Sequence, residues 1–325
     1  MRDAYGGADS DAADVCFMYV AADLEEEEDN ETDGCPALIH DQVRQETQEA
    51  YDKVGSTAHL EGGDMVMAHG MLTSLFYTPE EIEFAGIDAV NYQGVGCPHR
   101  HADIKKGESV LDMGSGLGVD SLLAANAVGK EGRVIGVDLS DECVQHANRR
   151  AQERGIDSSL RFHQSPIENF DERVCGEEVF DVVISNGAFC LLPSKKSGFR
   201  NAFKVLKSGG RIAICTTVLK EQLEGDVEWP LCMQTFAKIE ELRPMLEDLG
   251  FVDIEFDFSD SLMEVEVEVE MDDEGKIKNE DDENEEDGEG RYKVHNEEGR
   301  EQFRHLENVN MNDLCARVVI KARKP

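Results

Sequence analysis

The chain has 325 residues, of which 40% are hydrophobic and 31% charged, and 70 acids against 32 bases give it a formal net charge of −38. That length supports one large domain with attachments or two small domains, and the charge repels phosphate backbones and anionic lipid, so neither a nucleic acid nor a membrane is expected as a partner. No apolar run approaches a bilayer span; Met1-Arg2-Asp3-Ala4 opens no signal or transit pattern; and nine cysteines without C-x-x-C pairs read as free thiols in a reducing compartment, so the expected location is the cytoplasm.

Residues 1–40 are small, polar and acidic, with Glu25-Glu26-Glu27-Glu28 among them, and are expected to form a disordered tail. Residues 41–104 read as a helical cap. Asp41 to Val54 is helix-compatible, and Thr78-Pro79-Glu80-Glu81 is a helix start with Thr78 as N-cap, Pro79 at the first position and Glu81 completing a capping box. A turn-like stretch, Gly94-Val95-Gly96-Cys97-Pro98, comes next, and Lys105-Lys106-Gly107 leads into the core.

Across residues 105–261 strands and helices alternate. Expected strands are Ser109–Met113, Arg133–Asp138, Leu160–Gln164, Phe180–Ser185, Arg211–Thr217 and Val252–Phe258. Expected helices are Val119–Val128, a Ser140-capped helix to Arg154, Phe199–Leu206 and Ile239–Leu249. Such alternation is the mark of an α/β fold with a parallel sheet. Residues 262–310 read as an acidic β-hairpin insertion. Met263 to Glu270 alternates apolar and acidic, Asp272 to Gly290 is an acidic low-complexity loop, and Arg291–His295 is placed to pair back. Residues 311–325 hold the final core strand, centred on Ala316–Lys321.

One stretch organises the core: Val110-Leu111-Asp112-Met113-Gly114-Ser115-Gly116-Leu117-Gly118-Val119-Asp120. A strand ends in an acid, glycines follow at alternate positions, and a helix begins. Glycines let the backbone approach a ligand, and the first helix turn supplies free N–H groups. Val119 stands where the third glycine of the dinucleotide fingerprint G-x-G-x-x-G belongs. The pattern acid-x-G-x-G-x-G instead resembles motif I of class I S-adenosylmethionine (SAM) methyltransferases. Asp138, about twenty residues on at the end of the second strand, is placed to take both ribose hydroxyls, and Leu139 to pack on an adenine face. Ile167 and Glu168 follow the third strand, where a loop closes over the base. Asn186 ends the fourth strand and faces the crevice in which open α/β sheets hold ligands. Asp112 is placed to fix the methionine moiety. Asp120, in the first helix turn, reads as a dipole-stabilising acid.

The run from Tyr77 to the sixth strand resembles the arsenite methyltransferase family. The likeness rests on Tyr77-Thr78-Pro79-Glu80-Glu81, Val110–Gly116, Gly132–Asp138, Ile167-Glu168, Asp181–Asn186 and the superfamily signature Val205–Arg211. It implies a class I methyltransferase (Rossmann-like) sheet with helices on both faces and SAM as cofactor, held by Asp112, Gly114, Ser115, Gly116, Gly118, Asp138, Leu139, Ile167, Glu168 and Asn186. The implied reaction moves a methyl group from SAM to arsenic(III) held by cysteine thiolates, with arsenite and a thiol reductant as small-molecule partners.

The thiolate set departs from the family. Gly187 stands where the family has cysteine after Ser-Asn, and the nearest thiol is Cys190. Cys232 matches the family cysteine ahead of the last core helix. The N-terminal family cysteine has no counterpart: Cys35 lies too far upstream, and Cys97 matches a position outside the implied arsenic ligands. Cys232 and Cys190 are therefore the candidate catalytic thiols, each weighed against a packing role. Cys143, Cys215 and Cys315 read as structural. No zinc spacing is present, and His99 and His101 flanking Arg100 are not expected to bind a metal. Two rival readings stay open: a SAM-dependent methyltransferase of another small molecule, and a SAM-binding scaffold without turnover whose acidic segments meet a protein partner.

Overall fold

A computed structural model describes residues 37–57, 65–169, 177–220, 231–259 and 310–325. Most of the expected acidic tail and the whole of the expected hairpin, Met263–Glu270 with Arg291–His295, lie outside the described residues.

Three helices precede the core: α1 (Ala37–Thr57), α2 (Met65–Ser74) and α3 (Pro79–Ala85). The Thr78 capping box is formed, with the Thr78 hydroxyl accepting from the Glu81 N–H and the Glu81 carboxylate accepting from the Thr78 N–H. A one-turn helix, α4 (His99–Ala102), ends the cap.

The sheet then unfolds in the expected alternation: β1 (Ser109–Met113), α5 (Val119–Val128), β2 (Arg133–Asp138), α6 (Asp141–Glu153), β3 (Leu160–Gln164), β4 (Phe180–Asn186), α7 (Lys195–Val205), β5 (Leu206–Leu219), α8 (Leu231–Gln234), α9 (Ile239–Asp248), β6 (Val252–Asp257), α10 (Met311–Leu314) and β7 (Cys315–Arg323). Seven strands lie in the order β3-β2-β1-β4-β5-β7-β6. The first five are parallel to one another, and β7 runs antiparallel between β5 and β6.

Alternating side chains place helices on both faces. Val110, Val182 and Ile184 join Leu122, Ala147 and Phe162 in one core, while Leu111, Val183 and Ile214 join Phe199, Val205 and Leu246 in the other. Strands buried on both faces read as continuous apolar runs rather than alternating ones. β5 begins at Leu206, five residues before the expected Arg211. The Lys207–Gly210 stretch, which looks like a helix stop, enters the strand as an irregularity, since Phe180 pairs with Leu206 and Val182 with Arg211.

Among the described residues no helix is long and apolar enough to cross a membrane. The strand order reverses between β1 and β4, and a crevice opens at their carboxyl ends, the place where such sheets hold ligands.

Candidate functional site

Ten residues expected to hold a nucleoside-containing cofactor converge on that crevice. Asp112, Gly114, Ser115, Gly116, Gly118, Asp138, Leu139, Ile167, Glu168 and Asn186 all line one cleft of about 990 Å³ that opens to solvent. α1 covers one side with Arg44, Thr47, Tyr51 and Val54, and the Asn91–Gly94 segment forms another wall.

The glycine turn is folded back over β2. The N–H groups of Gly114 and Ser115 both donate to the Val137 carbonyl, at 2.8 and 3.0 Å. Two glycines are required by the backbone. Gly114 has φ 77°, and a Cβ there would meet the Ala188 methyl at 2.2 Å; Gly118 has φ 92° and abuts Phe162. Side chains with a Cβ are strained at such angles and have no room here. Gly116 also has positive φ, but its Cβ position faces open space.

Asp138 ends β2 and lines the cleft. Its Oδ2 accepts from the Gly116 N–H at 2.8 Å and its Oδ1 from the Ser140 N–H at 2.9 Å. Burial raises its pKa, against the pull of these backbone donors. The Ser115 hydroxyl is buried without a hydrogen-bond partner among the described residues. An open cradle at Gly116, a carboxylate at the cleft wall and an orphaned hydroxyl fit a ribose-bearing ligand.

At the other end of the cleft stands a network that a linear reading misses. Asp120, 6% exposed, lies in the first turn of α5. Its Oδ1 accepts from the Tyr77 hydroxyl at 2.5 Å and faces His99 Nε2 at 3.1 Å. Its Oδ2 accepts from the Tyr92 hydroxyl at 2.9 Å and lies 3.2 Å from Asn186 Nδ2. Burial pushes the Asp120 pKa up, but the His99 hydrogen bond and charge and the tyrosine hydroxyls outweigh it and hold the acid ionised. Burial works against the charged form of His99 as well, and its bond to Asp120 lifts its pKa nonetheless. Asp120 is thus a buried hub as well as a helix-terminal acid. Its flanks, Val119 and Ser121–Leu122, are buried too, so an acid inside a wholly buried first turn was the available signal.

Asn186 belongs to the same network. Its Oδ1 accepts from the N–H groups of Val95 and Gly96, at 2.8 and 3.1 Å. Its Nδ2 donates to the Gly96 carbonyl at 2.6 Å and to the Tyr92 hydroxyl. Asn186 therefore lines the cleft while its amide is spent on residues 92–96, the stretch that carries the Tyr92–Gly94 part of the wall and continues it behind the cleft.

Of the two candidate thiols, Cys190 lies in a short 3₁₀ turn, Phe189–Leu191, and is buried. Its thiol donates to the Gly187 carbonyl at 2.9 Å, burial raises its pKa, and it is not among the cleft-lining residues. Cys232 falls on α8, and its side chain is outside the described set. Gly187 has φ 78°, and a Cβ there would stand 3.0 Å from the Gln93 carbonyl. The backbone at this position is thus built for glycine.

Residues 104–260 match a protein family described as a methyltransferase domain. The chain is 34% identical over 169 residues to an arsenite methyltransferase of Halobacterium salinarum, covering 50% of this chain and 42% of that protein. It is 28% identical over 195 residues to an erythromycin 3''-O-methyltransferase of Saccharopolyspora erythraea, covering 55% of this chain and 62% of that protein. It thus spans less than two thirds of either relative. A solved structure of a Haemonchus contortus phosphoethanolamine N-methyltransferase 2 in complex with SAM superposes with a TM-score of 0.50 at 16% identity, over 79% of this chain and 60% of that one, and shares the fold.

Proposed function

We propose, for a chain whose residues 104–260 match a methyltransferase domain, that the protein is a class I SAM-dependent enzyme that transfers a methyl group from SAM to thiol-bound arsenic(III). The observation that carries the cofactor half is the convergence of all ten expected cofactor residues on one cleft. The acceptor half rests on relatives named arsenite methyltransferases.

SAM, when bound, supplies an electrophilic methyl group on a sulfonium sulfur. The protein's task is to align the acceptor's lone pair with that methyl and to exclude water. In this reading Asp138 holds the ribose hydroxyls, Leu139 and Ile167 enclose the adenine, and Glu168 closes the adjoining loop. Asp112 pairs with the methionine ammonium. Asn186 and the 92–96 wall bound the acceptor side.

Charge narrows the acceptor. Among the described lining residues the one cation is Arg44, which lies 3.5 Å from Glu168, whereas Asp112, Asp120, Asp138 and Glu168 all carry acid groups. A phosphorylated acceptor would find no free cation in such a cleft. A neutral, thiol-ligated arsenic meets no such obstacle, and thiolates suit a soft centre. Cys232 is the stronger candidate thiolate, because the Cys190 thiol is already engaged by the Gly187 carbonyl.

A second reading has one observation in its favour. Gly187 occupies the position of an implied family thiol with a backbone that disfavours any side chain. A methyltransferase of a different uncharged small molecule would keep the same cofactor residues and need no thiolate there.

The test is SAM turnover with arsenite and a thiol reductant, read as S-adenosylhomocysteine and as methylated arsenic by mass spectrometry. Methylated arsenic that disappears in Cys232→Ser supports the arsenic reading. SAM binding without arsenic product sinks it in favour of another acceptor.

A further inference from the structure

Three donors hold the Asp120 carboxylate: Tyr77 and His99 at Oδ1 and Tyr92 at Oδ2. The Asn186 amide, whose two N–H groups go to Gly96 and Tyr92, lies 3.2 Å from Oδ2 and covers it. Of about four lone-pair sites three are taken and the last is shielded, which leaves Asp120 little capacity for a ligand ammonium or for a proton taken from an acceptor. Asp112 differs. The Ser121 hydroxyl donates to its Oδ2 at 2.6 Å, and Asp112 too lines the cleft. Although both acids border the crevice, their capacities differ, and so must their roles.

The groups around Asp120 come from separate parts of the fold. Tyr77 precedes α3, Tyr92 lies in the loop after it, His99 opens α4, and Asn186 ends β4. Asn186 in turn grips the wall by its backbone, through Val95 N–H, Gly96 N–H and the Gly96 carbonyl. The wall also leans on the start of the loop after β4, where Gln93 O lies 3.0 Å from the Cβ position of Gly187. The wall is thereby tied to the sheet by one buried charge and one amide.

From this arrangement we propose that Asp120 is a positioning residue for methyl transfer, fixing the Tyr92–Gly96 wall against the end of β4 and thereby setting where the methyl acceptor sits. The catalytic consequence rests on the methyltransferase reading above; the structural claim does not. Charge and burial agree with this role. The two tyrosine hydroxyls are held protonated by burial and by Asp120, so they act as fixed donors rather than as bases.

The test uses the full chain and two variants, Asp120→Asn and Tyr92→Phe. Tyr92→Phe removes one hydroxyl and keeps the ring and the charge, so it decides the matter should Asp120→Asn fail to fold. The first readout needs no acceptor. Amide hydrogen exchange at Val95 and Gly96 should quicken at least tenfold in Tyr92→Phe, with β1 and β4 amides exchanging at wild-type rates. Unchanged exchange at those two amides overturns the proposal.

The second readout splits the kinetic constants. The acceptor kcat/KM should fall at least tenfold while the Kd for SAM stays within about twofold. A SAM affinity that falls as far as turnover also overturns the proposal, since it places the hub in cofactor binding. If wild-type protein yields no methylated arsenic, the arsenic reading fails on that result, and the exchange arm still decides the role of Asp120.

Discussion

Asp112 ends β1 with its carboxyl wholly enclosed, and burial is the largest reason that its pKa is pushed up to about 7. The charge of Asp120 pushes the same way, and the Ser121 hydrogen bond and the His99 charge push back. If Asp112 pairs with the methionine ammonium of SAM, only its ionised form does so. Below about pH 7 the free protein holds a proton that must leave before the pair can form, at a cost of about 1.4 kcal/mol per pH unit in the limit. SAM should therefore bind about three- to tenfold more weakly at pH 6 than at pH 8, with proton release on binding. Calorimetry in buffers of different ionisation enthalpy reads both. Tighter binding at pH 6 would remove Asp112 from the ammonium site, and Asp112→Asn should flatten the pH profile. The glycine turn and Asp138 were legible in the sequence because they act through local spacing. The Asp120 hub was not, because its bonds join residues 43 apart at Tyr77 and 66 apart at Asn186, and no linear pattern records such a meeting.

α1 shapes one side of the cleft from outside the sheet. It packs on the start of α6, where the Ser140 hydroxyl donates to Asp52 at 2.6 Å and the Cys143 thiol donates to the Tyr51 carbonyl at 3.2 Å. This contact is close enough to require glycine at one point. A Cβ on Gly55 would stand 2.5 Å from the Cys143 nitrogen and 2.6 Å from the Glu142 carbonyl carbon. In an exposed helix Gly→Ala gains about 1 kcal/mol of helix propensity. Here the sign should reverse, because backbone cannot yield as a flexible side chain can. Gly55→Ala should push α1 outward, carry Tyr51 and Val54 off the cleft, and weaken SAM binding by about tenfold. Unfolding by denaturant should report a loss rather than a gain of stability. An unchanged Kd would mean that α1 does not shape the occupied site. The sequence reads as helix-compatible over Asp41–Val54, one residue short of Gly55, and the glycine contact is a property of two elements that is absent from either one alone. The same limit explains β5: its first residues look like a helix stop, and their pairing beside β4 draws them into the sheet.

The whole molecule carries a net charge of −38, and the segment Asp272–Gly290 contributes 11 acids against 2 bases to it. The fold class follows from the alternation of elements and is indifferent to this charge, which bears instead on stability and encounter. Like charges repel most in the compact state, so screening should favour folding. Raising the salt from about 50 to 500 mM, which shortens the Debye length from about 14 to about 4 Å, should raise the melting temperature. Deleting Asp272–Gly290 takes away a net −9. It should raise the low-salt melting temperature and reduce its dependence on salt, while leaving the SAM affinity within about twofold, since all ten residues expected to hold the cofactor lie outside the segment. Differential scanning calorimetry across a salt series, with SAM titrations on both proteins, reads each part. A melting temperature that falls on deletion at low salt would mean that the segment contributes more through contacts than it costs through repulsion. A lost SAM affinity would place it within reach of the cofactor. The negative field also bears on the substrate. An anionic acceptor would be repelled on approach and find Arg44 already beside Glu168, whereas a neutral arsenic–thiol species meets neither barrier.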